Sequence, residues 1–322
     1  MLARSNSVIM FRAIFGSKES GIGEFAEKRD ELLKVGFWGF ANATATNLAD
    51  YLPWLKMMPN NTINEAKRQT ATRDNIIESL IDTARARPDL DFDNPTCLVD
   101  VMLAKEKEGE LTGETILLLI ADLLFAGIDT SAQTVSWLLL ILANRPEIES
   151  KVHDEIDRVI GVDTRPTVED RERLPYLNAV ILESMRFRTV GPLAIPHKAA
   201  KPCEGGVTIP EGAQVLGNAY SIHHDPRFWD SPDEFVPDRF LLLEDGSPSP
   251  AMTSNAFIPF GVGHRACPGR RFGELVVWLH TSRLLHRNQF SVADTGGEGL
   301  PEDEVFGLTL APKPFTLAVT RR

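Results

Sequence analysis

The sequence predicts a mainly α-helical protein with a small β part in the C-terminal half of the chain. Amphipathic stretches separated by polar loops fill residues 1–110, and an apolar stretch of helical length follows them. Beyond residue 188, proline and glycine become frequent between short runs that are typical of strands. No internal repeat or low-complexity linker divides the 322 residues, so we expect one domain spanning residues 1–322.

Periodicity and end signals place the helices in order. Residues 24–35 and 64–87 are amphipathic and predict two early helices. A long helix is predicted over residues 112–144, with Thr112 as its N-cap and Pro146 just beyond its end. At about 1.5 Å per residue this helix would run roughly 50 Å. Two further helical stretches follow, and three later runs predict strands: 206–209, 214–218 and 315–320.

The most apolar stretch, residues 116–142, approaches the length of a membrane span. Asp122 and Asp129 interrupt it, and ionisable groups are costly at the centre of a bilayer. We therefore expect a buried core helix. The N-terminal 20 residues have neither a long apolar core nor a small-residue cleavage site, so they predict no signal peptide and no membrane anchor.

Charge and cysteine content exclude several classes of function. The chain has 34 Lys+Arg against 45 Asp+Glu, a net charge of −11, which argues against nucleic-acid binding. Cys97, Cys203 and Cys267 are too few and too scattered for a disulfide framework or a zinc cluster. A reducing compartment is the better prediction.

Residues 36–59 are rich in aromatic side chains and leave two interpretations open. They can form a packed helix–loop–helix connection. If exposed, they would suit a hydrophobic ligand entrance or contact with a membrane surface. The side chains concerned are Phe37, Trp38, Phe40, Trp54 and Met57.

A glycine-rich loop, FGVGHRACPG at residues 260–269, carries Cys267 directly before a predicted helix. Gly263 and Gly269 have no Cβ, so the backbone can turn tightly and approach a large ligand. Pro268 fixes φ at the start of the helix. The helix N-terminus and Arg265 favour negative charge, so Cys267 is a candidate thiolate ligand of a metal. The alternative is a buried structural thiol beside a turn.

The long helix contains AGIDTS, residues 126–131. Gly127 costs about 1 kcal/mol relative to alanine in a helix interior, so it needs a reason. Thr130 can hydrogen-bond back to its own helix and, with Gly127, open the helix locally. A hydroxyl beside the carboxylate of Asp129 would then offer a place for dioxygen and a route for protons. Ala126 lies one turn earlier on the same face. The alternative is a close helix crossing made by small residues.

Two further segments carry paired charges. Glu183 and Arg186 have i, i+3 spacing and share a helix face, which also fits an ordinary surface ion pair. Some fifty residues later comes FVPDRF, residues 235–240, with Arg239.

In this order, the motifs resemble those of the cytochrome P450 family. The cysteine loop is similar to F-x-x-G-x-R-x-C-x-G, with Phe260, Gly263, Arg265, Cys267 and Gly269 at the fixed positions. The other segments resemble the family's A-G-x-D/E-T-T/S helix, its E-x-x-R helix and its P-E/D-R-F segment. The resemblance implies a cytochrome P450 fold and a haem-thiolate monooxygenase that uses haem b, with electrons ultimately from NADPH.

The resemblance also implies roles for individual residues. Cys267 would be the axial ligand of the haem iron, a thiolate that favours O–O cleavage. Thr130 would steady dioxygen and Asp129 would relay protons, with Ala126 lining the pocket. Glu183, Arg186 and Arg239 would form a buried structural network.

His197, in the sequence IPH, would touch a haem propionate together with Arg265, although a histidine at the end of a short strand is otherwise unremarkable. The family's substrate-contact positions here are apolar and imply a small lipophilic substrate; they are Leu124, Phe125, Val190, Leu193, Ile195, Phe306 and Leu308.

A basic cluster surrounds Cys267 and contains His264, Arg265, Arg270 and Arg271. Solvated loop charges are one interpretation. The resemblance implies the other, a docking face for an NADPH-dependent flavoprotein reductase or a small iron–sulfur donor. By the same resemblance, which is to the eukaryotic microsomal branch, the full-length form would lie on the cytosolic face of the endoplasmic reticulum membrane.

The sequence departs from the family pattern at its start and at one internal position. The family's membrane anchor, first strands, first helices and W-x-x-x-R motif have no counterpart, so we expect an N-terminally truncated form. Thr189 replaces a proline that is frequent in the family. Two alternatives follow: a non-oxygenase member that rearranges hydroperoxides or catalyses a dehydration, and an inactive haem-binding remnant. The intact Thr130 and Asp129 argue against the first of these.

Overall fold

The computed structural model of the chain describes residues 2–16, 24–42, 61–293 and 299–322. The chain divides into two units, Met1–Ala132 and Gln133–Arg322. The helices are α1 (Leu2–Phe15), α2 (Glu24–Asn42), α3 (Asn61–Arg85), α4 (Leu98–Lys107), α5 (Gly113–Ala143), α6 (Pro146–Val159), α7 (Pro175–Phe187), α8 (Ala219–His223), α9 (Pro250–Thr253) and α10 (Arg270–Arg287).

The first unit is a helical bundle of α1 to α4 with the N-terminal part of α5. Its core is apolar, because each helix turns one hydrophobic stripe inwards. On α5 this stripe repeats every four residues at Ile116, Ile120, Leu124 and Ile128, all of which are buried. The apolar patch near the N-terminus was not predicted to be helical. It forms α1, which buries Phe11 and Phe15 in the same core.

Helix α5 follows the prediction for residues 112–144 closely. Thr112 caps it, since the Thr112 hydroxyl accepts a hydrogen bond from the backbone N–H of Thr115 at 3.2 Å. Among the described residues, α5 alone is long and apolar enough to cross a membrane, with a mean hydropathy of 1.7. Half of its most apolar window is buried inside the protein, and Trp137 and Leu138 are fully buried, which is consistent with the expected core helix.

Of the two interpretations of Gly127, the structure favours a close helix contact made by a small residue. Helix α5 continues through this position, so glycine does not interrupt it. A Cβ at residue 127 would lie 2.7 Å from the sulfur of Met10 on α1, well inside van der Waals contact. Gly127 therefore permits the close approach of the Met10 side chain.

The second unit combines helices with short antiparallel strand pairs. The strands are β1 (His197–Lys198), β2 (Cys203–Gly205), β3 (Val207–Ile209), β4 (Gln214–Val215), β5 (Asn288–Val292), β6 (Glu304–Phe306), β7 (Leu310–Pro312) and β8 (Leu317–Arg321). They pair as β1–β4, β2–β3, β5–β8 and β6–β7. The mainly helical fold with a small β part is confirmed.

Several boundaries differ from the sequence prediction. Helix α2 was expected over residues 24–35 and runs to Asn42, while α3 was expected over 64–87 and ends at Arg85. The run 214–218 contributes only β4 to a strand. The predicted runs do not include strands β2, β5, β6 and β7. Of the aromatic segment, Trp54, Met57 and the side chain of Phe40 lie outside the described residues.

A buried tryptophan fixes the hairpin formed by β6 and β7 to the C-terminal part of α5. The indole Nε1 of Trp137 donates a hydrogen bond to the carbonyl oxygen of Leu310 at 2.9 Å. The backbone N–H of Leu310 in turn donates to the carbonyl oxygen of Val190 at 2.8 Å. Leu310 thereby joins three segments that are far apart in the sequence.

We expect Trp137→Phe to lower the free energy of unfolding by about 1–3 kcal/mol more than Trp278→Phe does. Both tryptophans are buried, at 0% and 1% exposure, so the two changes remove similar apolar area. Trp278 Nε1 makes no hydrogen bond within the described residues, whereas Trp137 Nε1 does. Denaturant unfolding of the two variants measures the difference, and equal losses would contradict this assignment.

Candidate functional site

The cysteine loop is held in a fixed shape by its own backbone. The backbone N–H of Cys267 donates to the carbonyl oxygen of Phe260 at 2.8 Å, which closes the loop. Gly261 and Gly263 both have a φ of +69°, a conformation that side chains with a Cβ rarely adopt. The closure leaves the thiol of Cys267 exposed.

The sulfur of Cys267 lies beside the N-terminus of α10. Gly269 caps this helix, which begins at Arg270. A Cβ on Gly269 would lie 3.9 Å from the sulfur, so glycine keeps bulk away from that side of the thiol. The positive end of the helix favours an anionic ligand atom at this position.

Basic side chains surround the loop. Arg270 forms an ion pair with Glu274 at 2.8 Å and lies over the ring of Phe260 at 5.7 Å. Arg265 and Arg271 are exposed and have no carboxylate partner within the described residues. His197 lies on β1, opposite Val215, and is also exposed.

The AGIDTS segment belongs to the first unit. The Thr130 hydroxyl donates to the carbonyl oxygen of Ala126 at 2.6 Å, which is the back-bond expected from the sequence. Asp129 is buried and lines a cavity of about 20 Å³ together with Leu124 and Phe125. Ala126 is exposed on the helix surface.

Glu183, Arg186 and Arg239 come together in the second unit. Arg186 makes a two-pronged contact with Glu183, with both N–O distances at 2.8 Å, and both side chains are fully buried. Arg239 Nε lies 3.4 Å from a Glu183 oxygen. Planar guanidinium groups suit this pairing, because two parallel hydrogen bonds compensate the lost hydration.

The remaining donors of Arg186 bind backbone carbonyls. They reach the carbonyl oxygens of His223 and Pro232 at 2.8 Å and of Glu234 at 2.9 Å. Glu183 also accepts the backbone N–H of Val236 at 2.9 Å. The buried ion pair therefore ties α7 to the loop that follows α8.

Comparisons with known proteins agree with these motifs. The family model described as Cytochrome P450 matches residues 5–319. The chain belongs to the cytochrome P450 family. It is 34% identical over 297 residues to a steroid 17-alpha-hydroxylase/17,20 lyase of Squalus acanthias, which covers 88% of this chain and 57% of the relative. It is 32% identical over 283 residues to cytochrome P450 2U1 of Homo sapiens, covering 85% of this chain and 51% of the relative.

Solved structures show the same fold. A zebrafish cytochrome P450 with abiraterone matches with a TM-score of 0.81 and 28% identity, covering 100% of this chain and 71% of that one. A zebrafish cytochrome P450 with progesterone matches with a TM-score of 0.83 and 28% identity, covering 99% and 70%. The chain thus spans about half the length of the curated relatives it matches.

The P450 cofactor is haem b bound through a cysteine thiolate, and the residues of the second unit fit it. An exposed thiol lies at a helix N-terminus, next to glycines that admit a flat ring. Arg265 and His197, the residues predicted to bind the propionates, are both exposed. Within the described residues, no group of three or more His, Cys, Asp or Glu lies close enough together to hold a metal ion.

The apolar residues predicted to contact substrate fall into two sets. In the second unit, the segment with Val190, Leu193 and Ile195 lies beside the β6–β7 hairpin, through the Leu310–Val190 hydrogen bond. Ile195 is 73% exposed and Phe306, on β6, is 60% exposed. In the first unit, Leu124 and Phe125 line the small cavity described above.

The structure contains a second carboxylate paired with two guanidinium groups, which the sequence did not predict. Glu302 binds Arg145 at 2.5 Å and Arg188 at 3.0 Å, just before β6. Burial alone would raise the pKa of Glu302, but the hydrogen bond and charge of Arg145 outweigh it and lower the pKa. No local signal pairs these residues, because more than 110 positions separate Glu302 from either arginine.

Arg186→Lys is expected to lower the free energy of unfolding by about 3–5 kcal/mol. A lysine ammonium cannot make the two-pronged contact with Glu183 and also bind the backbone carbonyls of His223, Pro232 and Glu234. Arg227→Lys is the matched control, since Arg227 binds Asp225 in a similar two-pronged way but is exposed. We expect that control to stay close to the parent in denaturant unfolding. Similar losses in both variants would contradict the role given to burial.

Proposed function

We propose that this chain is the catalytic part of a haem-thiolate monooxygenase, with residues 1–322 acting as one catalytic domain. It would insert one oxygen atom from O₂ into a small lipophilic substrate, using electrons from a reductase. The exposed thiol of Cys267, held at the N-terminus of α10 by the hydrogen bond to Phe260, carries this proposal. Family membership supports it.

The second unit would bind the cofactor. Cys267 would be the axial ligand, and Gly263 and Gly269 would let the loop approach the ring plane. Arg265 and His197 would bind the propionates through charge and hydrogen bonds. When bound, haem supplies the iron at which dioxygen is reduced.

Thr130 and Asp129 would deliver protons. The Thr130 hydroxyl donates to the carbonyl oxygen of Ala126, and the same hydroxyl can turn to give its proton to an acceptor outside the helix. The buried carboxylate of Asp129 precedes it on α5 and can resupply that proton. This pair favours oxygen chemistry over hydroperoxide rearrangement, which needs no proton delivery from outside.

The substrate would be apolar. The side chains predicted to contact it are Val190, Leu193, Ile195, Phe306 and Leu308 in the second unit, with Leu124 and Phe125 in the first. These side chains are all apolar, so they would bind a ligand through hydrophobic contact and offer no polar group to orient it. The relatives whose names refer to steroid hydroxylation make steroids the first class to test.

The electron donor would dock on the basic cluster of His264, Arg265, Arg270 and Arg271. An NADPH-dependent flavoprotein reductase fits the microsomal-type relatives better than an iron–sulfur donor. The complete protein would then lie on the cytosolic face of the endoplasmic reticulum membrane.

The first test is the optical spectrum of the haem-loaded, dithionite-reduced chain with carbon monoxide. We expect the strongly red-shifted Soret band of thiolate ligation. Cys267→Ser should abolish this band, whereas Cys203→Ser should keep it, because Cys203 is also an exposed thiol but lies on β2. A parent chain without the shifted band would refute the proposed function and favour the inactive remnant.

The docking surface is tested by charge reversal. Arg271→Glu, alone and combined with Arg270→Glu, should slow reduction by the flavoprotein about tenfold at low ionic strength and less at high salt. Arg321→Glu changes the net charge by the same amount as Arg271→Glu alone, at an exposed position on β8, and is the control for that single variant. Haem content must stay intact, most critically in the double variant, because Arg270 lies over Phe260. Unchanged reduction rates would refute this docking surface.

A further inference from the structure

We propose that Thr189 and His223 are positioning residues for the cysteine loop. Together they form a buried hydrogen-bond relay from the end of α7 to the backbone that precedes Phe260. The inference rests on the haem-thiolate site of the proposed function and is independent of the substrate and of turnover.

The relay has three hydrogen bonds, and both of its side chains are buried. His223 is 0% exposed and Thr189 is 2% exposed. The His223 Nε2 atom lies 2.9 Å from the backbone nitrogen of Ile258, and its Nδ1 atom lies 2.6 Å from the Thr189 hydroxyl oxygen. That hydroxyl oxygen is 3.1 Å from the carbonyl oxygen of Arg186.

The geometry selects one tautomer of His223. A backbone N–H can only donate, so Nε2 must accept from Ile258 and carry no proton. Burial, followed by the charge of Arg186, lowers the pKa of His223 to about 3, so the ring is neutral at neutral pH. The ring proton is therefore on Nδ1 and is donated to Thr189, whose own hydroxyl hydrogen is donated to the carbonyl oxygen of Arg186. Every polar atom of the relay is paired.

The relay ends two residues before Phe260, whose carbonyl oxygen binds the backbone N–H of Cys267 at 2.8 Å. At its other end, Arg186 also donates to the carbonyl oxygen of His223 at 2.8 Å. The buried ion pair of α7 is thus connected through His223 to the segment that sets the position of the Cys267 sulfur. A shift of Ile258 would move the anchor of the loop.

Thr189 is the residue that makes this tautomer stable. Its hydroxyl is the acceptor for the Nδ1 proton, and a side chain without a hydroxyl would leave that proton buried and unpaired. The His223 ring would then lower its free energy by rotating or by moving its proton to Nε2. Either change breaks the hydrogen bond from the backbone N–H of Ile258. A proline at this position would have no side-chain acceptor, so the relay requires the hydroxyl of residue 189.

The test compares the haem-loaded parent with Thr189→Val, Thr189→Ser and Thr281→Val, each with ¹⁵N-labelled histidine. Thr281 on α10 is the matched control, since it is fully buried and its hydroxyl makes no hydrogen bond within the described residues. Three quantities are measured: the ring ¹⁵N shifts of His223, assigned with His223→Gln; hydrogen exchange at the Ile258 amide; and the fraction of the reduced carbon monoxide complex with thiolate ligation.

The parent ring should be protonated at Nδ1 only. In Thr189→Val we expect exchange at Ile258 to rise about tenfold and the thiolate-ligated fraction to fall, because one buried donor has lost its acceptor. Thr189→Ser keeps a hydroxyl, so its ring shifts, Ile258 exchange and thiolate-ligated fraction should match those of the parent. Thr281→Val should also match the parent in all three.

A parent ring protonated at Nε2 would overturn the proposal, even if no variant folded. Faster exchange with unchanged ligation in Thr189→Val would also overturn it, because Thr189 would then serve the fold alone. If the parent bound no haem, the proposed function would fail. The ring shifts and the Ile258 exchange would still decide whether the relay exists.

Discussion

The second unit depends on one buried ion pair, between Glu183 and Arg186. Two opposite charges without water are tolerable only if their remaining donors and acceptors are also paired. Arg186 therefore binds the carbonyl oxygens of His223, at the end of α8, and of Pro232 and Glu234, while Glu183 accepts the backbone N–H of Val236. The pair thus organises the chain that follows α8. Hydrophobic contacts do not impose such directions, since they have no fixed geometry.

Glu302 is a second carboxylate that is bound by two arginines. Its carboxylate binds Arg145, the N-cap of α6, and Arg188, just after α7. The guanidinium of Arg188 also lies 5.0 Å from the ring of Trp137, whose indole holds the carbonyl oxygen of Leu310. The hairpin that presents Phe306 is therefore fixed at its base by charge and at its far strand by a tryptophan. Apolar residues at its tip can remain exposed because the hairpin does not rely on them for stability.

The cysteine loop shows how a reactive group is presented without strain at the group itself. Positive φ angles fall on Gly261 and Gly263, where they are inexpensive, and the anchoring hydrogen bond runs between backbone atoms of Cys267 and Phe260. The relay through His223 extends this anchoring to α7. In the first unit, Gly127 has a different role, since its missing Cβ leaves room for the Met10 side chain of a neighbouring helix.

The sequence by itself determined the local features of this protein. Helical periodicity, the Thr112 cap, the glycine-rich loop and the order of the family motifs are all readable within short windows, because each depends on neighbouring residues. Only the tertiary structure decided which distant groups meet. The Glu302 network, the Trp137–Leu310 bond and the Thr189–His223–Ile258 relay join residues between 34 and 173 positions apart. The physical reason is burial: a polar atom removed from water must find a partner wherever the fold provides one, and no local pattern encodes that choice.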